Sequence, residues 1–127
     1  MAVAKRPLQA LPLKQLVSLL DLKENWNSYG APPIDPGTLG FALAFLVRTM
    51  RDGTPRPAVL ASPRGGLQLE WHEQGIDLEI KVLPGGRFRV YLEDLRTGEE
   101  VDSDEDFDLE TAVSLAGSYI NKYLHLR

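Results

Sequence analysis

Between residues 67 and 93 the chain alternates apolar and polar side chains almost without fault, and this period of two constrains the fold more than any other feature. Leu67, Leu69 and Trp71 alternate with Gln68, Glu70 and His72. Ile76, Leu78, Ile80 and Val82 alternate with Asp77, Glu79 and Lys81, and Phe88, Val90 and Leu92 alternate with Arg87, Arg89 and Tyr91. Successive side chains of a strand point to opposite faces, so the pattern predicts antiparallel strands with one buried and one hydrated face. Turn signals at Pro63-Arg64-Gly65-Gly66, Glu73-Gln74-Gly75 and Pro84-Gly85-Gly86 divide it into hairpins, and residues 59–62 supply a first strand. Matching apolar faces pairs Trp71 with Ile76, Leu69 with Leu78 and Leu67 with Ile80, which sets Glu70 opposite Asp77. The next hairpin pairs Val82 with Phe88 and Ile80 with Val90, which sets Glu79 opposite Tyr91 and diagonal to Arg89.

Helical periodicity flanks this block. Residues 11–23 place Leu13, Leu16, Val17 and Leu20 on one stripe, with Pro12 suited to a first helical turn. Asp35-Pro36 is a strong helix start, and Asp52-Gly53 a stop. Between them Leu39, Ala42, Leu43, Leu46, Val47 and Met50 form a wide apolar face, extended by Phe41 and Phe45, and Gly40 suggests a close packing contact. Asp108 caps a last helix over residues 109–124. The expected fold is α+β: a two-layer domain whose antiparallel meander of about four strands carries three helices on one face, in the order α-α-β-β-β-β-α. Residues 1–127 read as a single domain, with 1–10 as an N-terminal arm and 95–107 as an acidic loop. Within that loop, residues 99–102 could add a weak edge strand.

Charge is segregated along the chain. Residues 1–92 hold eleven Lys/Arg and eight Asp/Glu, whereas residues 93–127 hold three and ten. A basic partner surface is the natural complement of such a cluster. Direct nucleic-acid binding by the whole domain is disfavoured, because it depends on a basic surface releasing counterions. Arg48, Arg51, Arg56, Arg64, Arg87 and Arg89 would have to converge to overcome this. There is no cysteine, which suits a reducing, cytoplasmic setting. Near the N-terminus, Pro12 and Lys14 interrupt the leucines, so no secretory signal is expected, and no apolar run is long enough to span a bilayer.

No motif assigns a reaction. Asp102, Asp104, Glu105 and Asp106 superficially resemble a calcium loop, but Phe107 and Val113 stand where such a loop needs Gly and Glu. His72 and His125 belong to no metal signature, so no metal centre and no cofactor are expected. Paired carboxylates with His72 and Tyr91 suggest acid–base chemistry in principle, yet catalysis needs a partly dry cleft that shifts pKa values. An enzyme of unrecognised type is therefore the alternative reading, and a nucleic-acid-linked factor or acidic DNA mimic a further one. The favoured expectation is a non-enzymatic protein-binding module. Its contact residues would be Asp102, Asp104, Glu105 and Asp106 of the acidic segment, and Glu70, Glu79, Arg89 and Tyr91 of the hydrated sheet face. The aromatic anchors Trp26 and Tyr29 of the loop before Asp35 complete the set.

That loop, Asn25-Trp26-Asn27-Ser28-Tyr29-Gly30-Ala31-Pro32-Pro33-Ile34, together with Leu69-Glu70-Trp71 and Leu78-Glu79-Ile80, resembles a family of small bacterial and phage-type proteins with no established activity. The resemblance covers about residues 20–92 and transfers no catalytic residue. It implies a compact accessory protein acting through another protein, such as an antitoxin, immunity or inhibitor-like factor.

Overall fold

The structure, a computed structural model, describes residues 11–103 and 105–124. The expected N-terminal arm, Asp104 and His125 lie outside the described residues. The fold is α+β, with a five-stranded antiparallel meander where about four strands were expected. Helix α1 (Leu13–Ser18) runs into a 3-10 turn at Leu19–Asp21; α2 spans Pro36–Thr49 and α3 Leu109–Tyr123. The strands are β1 (Ala58–Ala61), β2 (Leu67–Glu73), β3 (Ile76–Leu83), β4 (Arg87–Asp94) and β5 (Glu99–Asp102), in that spatial order.

The alternation places the faces as expected. Leu67, Leu69, Trp71, Ile76, Leu78, Ile80, Val82, Phe88, Val90 and Leu92 are all buried on one side. Helix α2 packs on β2, β3 and α3, and α3 packs on β4, so the helices roof the apolar face. Ala42, Phe45 and Leu46 of α2, with Met50 at its C-terminal end, meet Ala112, Ala116 and Ile120 of α3 in the same core. Each of these two helices is capped as its sequence predicts: Asp35 accepts from the Gly37 amide at 3.2 Å, and Asp108 from the Thr111 amide at 2.8 Å.

Three local expectations are corrected. In α1 the buried residues are Leu16 and, in the following 3-10 turn, Leu19, while Leu13, Val17 and Leu20 are exposed. The α-helix is only six residues long and turns Leu16, rather than Leu13 and Val17, to the core, while Leu20 lies in the 3-10 turn. Gly40 makes no close contact, since a Cβ there would meet nothing within 4 Å. The close helix–helix approach is instead at Gly117, where a Cβ would lie 3.4 Å from the Thr49 methyl.

The third correction matters for function. Trp71 faces Leu78 rather than Ile76, Leu69 faces Ile80 and Leu67 faces Val82. The β2–β3 hairpin closes on the two residues Gln74 and Gly75, both with positive φ (56° and 79°), so pairing continues to Glu73 and Ile76. A slip of two residues keeps every side chain on its face, so face matching could not detect it. The β3–β4 register is as expected, with Val82 opposite Phe88 and Glu79 opposite Tyr91.

Candidate functional site

The corrected register orders the hydrated face into rows that cross the sheet. One row runs His72, Asp77, Glu93, Glu100 from β2 to β5, and the next runs Glu70, Glu79, Tyr91, Asp102. Two rows thus gather six carboxylates from four strands. At the other end of the same face, Gln68, Lys81 and Arg89 stand opposite one another, followed by Leu83 opposite Arg87. The face is divided into an acidic and a basic half, a division that the linear sequence does not display.

Fixed contacts organise the acidic half. His72 lies between two carboxylates, with Nδ1 2.8 Å from Asp77 Oδ1 and Nε2 3.2 Å from Glu70 Oε2. Those two hydrogen bonds, Asp77 foremost, raise the His72 pKa and favour its charged form. Gln68 donates to the other oxygen of Glu70. Tyr91 donates its hydroxyl to Glu93 at 2.8 Å, and this bond, reinforced by desolvation and the surrounding carboxylates, pushes the phenol up to about 12. Tyr91 therefore remains a neutral donor at physiological pH. A polar groove of about 190 Å³ runs along Glu79, Lys81, Arg89, Val90, Tyr91, Asp102 and Ser103.

The acidic segment behaves differently from its expected role as a free loop. Residues 99–102 form β5, and the chain then continues beside β4, where Phe88 and Phe107 exchange both backbone hydrogen bonds at 2.8 and 2.7 Å. Asp106 turns inward to Arg87 at 2.9 Å and Arg89 at 2.7 Å, and Arg89 holds its carboxyl below the usual carboxylate range. Asp108 caps α3 and Glu110 pairs with Arg48. Asp102 and Glu105 remain exposed. Carboxylates on an edge strand also discourage pairing with another chain, which gives β5 a structural reason for its charge.

The basic residues converge only in part: Arg64 and Arg89 line one groove with Lys81, and Arg87 meets Arg89 at Asp106, while Arg48 and Arg51 lie with the helices. Arg48 is engaged by Glu110 on α3, Arg87 and Arg89 by Asp106, and Arg51 donates to the carbonyls of Arg48 and Met50.

The aromatic loop is a closed knot set apart from the sheet rows. Asn25 Oδ1 accepts from Gly30, while Asn27 Oδ1 accepts from both Tyr29 and Ala31, and Asn25, Ser28 and Gly30 take positive φ. Trp26 is locked by its indole N–H donating to the Pro32 carbonyl at 2.8 Å, whereas Tyr29 is 91% exposed. Outside itself the loop is tied to Gly65, in the β1–β2 turn, through the Asp35 amide at 3.3 Å.

Sequence reasoning misplaced one residue and missed another. Asp77, expected opposite Glu70 as one of a carboxylate pair, instead faces and orients His72. Asp94 is buried on the apolar side, where Arg96 grips both its oxygens at 2.9–3.0 Å. The Asp-x-Arg spacing at a turn was the available signal. No described helix is long and apolar enough to cross a membrane. Comparisons with protein families, with curated proteins and with solved structures found no match.

Proposed function

We propose that this protein is a non-enzymatic binding module that docks a basic surface of a partner protein on the acidic half of its sheet, as an antitoxin, immunity or inhibitor-like accessory factor would. The observation that carries the reading is the pair of rows bearing Glu70, Glu79, Asp77, Glu93, Glu100 and Asp102. Four strands at about 4.8 Å spacing make this a patch roughly 15 Å across, held on a rigid ladder. Such a patch steers and orients a cationic partner, and the contribution is screened by salt. The acidic segment contributes Glu100 and Asp102 to this patch, whereas Asp106, Asp108 and Glu110 are occupied within the chain. Acid–base catalysis is the weaker reading: Tyr91 is tied up as a donor and His72 is held between two carboxylates on an open strand face.

Fluorescence anisotropy with a labelled oligolysine peptide tests the proposal. Affinity is expected to fall steeply as salt rises, and the double reversal Glu93→Lys with Glu100→Lys to weaken it about tenfold or more, while Glu105→Lys stays near wild type. Equal losses from the two reversals, or binding indifferent to salt, would refute the sheet face as the docking surface.

A further inference from the structure

The two-residue shift of the β2–β3 register does more than place charges in rows. It brings the side chains of Glu70, His72 and Glu79 together, one donor atom from each lying within 4.8 Å of the others. We propose that these three residues form a binding site for a single divalent transition-metal ion of the zinc type.

The donor set suits such an ion. Zinc takes imidazole nitrogen and carboxylate oxygen at about 2.0–2.2 Å in a tetrahedral array, so donors around one ion stand roughly 3.4 Å apart. Side-chain rotation of the half-buried Glu79 carboxylate, a movement of up to about 1.4 Å, closes the difference. One neutral imidazole and two carboxylates balance the charge of a divalent ion. Calcium and magnesium prefer larger shells made wholly of oxygen, and the imidazole selects against them.

Support from outside the triad is what separates this cluster from a chance gathering of acids. Metal-bound histidine characteristically donates its second ring nitrogen to a carboxylate, which fixes the tautomer and aims the free nitrogen at the ion. His72 has that arrangement: Nδ1 meets Asp77 at 2.8 Å, and Nε2 is the atom turned toward Glu70. Gln68 holds the remote oxygen of Glu70, leaving Oε2 on the side of His72. Glu79 approaches from the facing strand, directly opposite Glu70. The ligands thus come from two strands whose register the Gln74-Gly75 turn fixes. Three protein donors leave the remaining positions open to water or to a donor from a partner. Binding displaces any proton on His72 Nε2 and leaves the one shared with Asp77 in place.

Isothermal titration of the full chain with Zn²⁺, alongside Ca²⁺, reads the site directly, and long-range imidazole NMR identifies the ligand atom. One Zn²⁺ per chain is expected, with a shift of the His72 Nε2 resonance and no comparable Ca²⁺ binding. His125→Ala should leave this unchanged, His72→Gln and Glu79→Gln should abolish it, and Asp77→Asn should weaken it about 10–100-fold. His72, Asp77 and Glu79 lie on the hydrated face, and an unchanged far-UV spectrum verifies folding. Zinc binding that persists in His72→Gln, or zinc that moves no His72 ring resonance, would overturn the assignment. The probe is the ion alone, so the outcome is independent of the docking proposal.

Discussion

Replacing Glu79 by Gln should stabilise the protein. Glu79 faces Glu70 across the β2–β3 ladder, with donor atoms no more than 4.8 Å apart. Two unit charges at that distance repel by about 0.9 kcal/mol in water, and a Debye length near 8 Å at physiological salt reduces this to about 0.5 kcal/mol. Like charges directly opposed in a sheet destabilise it on this scale. With a urea m-value of about 2 kcal/mol/M, the midpoint of Glu79→Gln should rise by roughly 0.25 M. In 1 M salt, where the Debye length is about 3 Å, the gain should shrink below about 0.2 kcal/mol. The assay is urea denaturation followed by Trp fluorescence, with a chelator present so that bound metal does not mask the repulsion. The rationale is that this face holds its charge at the expense of stability, as a surface kept for binding does. A loss of stability in Glu79→Gln, or a gain that does not respond to salt, would refute it.

Further outcomes follow from the packing and from one ion pair. Phe45 is fully buried against Phe88, with ring centroids 5.8 Å apart, so Phe45→Ala should cost about 3–5 kcal/mol by calorimetry or urea titration. A Cβ on buried Gly66 would fall on the Val82 carbonyl of the neighbouring strand, so Gly66→Ala should lower Tm by roughly 5–15 °C, corresponding to about 1–3 kcal/mol. Arg96 holds the Asp94 carboxyl below its usual range. The contribution of that pair is therefore complete above the unfolded-state pKa of about 3.9 and is lost as pH falls through the lower folded-state value. Asp94→Asn should flatten stability against pH in that acid window, as acid titrations monitored by circular dichroism will show.

The sheet was legible because alternation over residues 67–93 reports which face each side chain takes, and burial follows it except at the strand ends Glu73 and Leu83. Helix starts were legible because Asp35 and Asp108 act as caps through chemistry local to the sequence. The candidate site was not legible. It depends on which residue faces Glu70, and periodicity gives the same faces for Asp77 and Glu79. What decides between them is the positive φ of Gln74, a residue type that rarely announces such a turn. The fifth strand leaves only a weak signal because Glu99, Glu100 and Asp102 surround a single Val101, with little alternation to detect. Neither could the sequence show that Asp106 folds onto Arg87 and Arg89, since the contact joins residues nearly twenty positions apart.

The central claim is that a cationic surface lands on the two acidic rows of the sheet. Backbone amide NMR during titration with an oligolysine peptide locates that landing directly. Shifts concentrated at Asp77, Glu79, Tyr91, Glu93, Glu100 and Asp102 are the expected result. Shifts concentrated around Glu105, at the helices or at the Tyr29 loop would contradict the account.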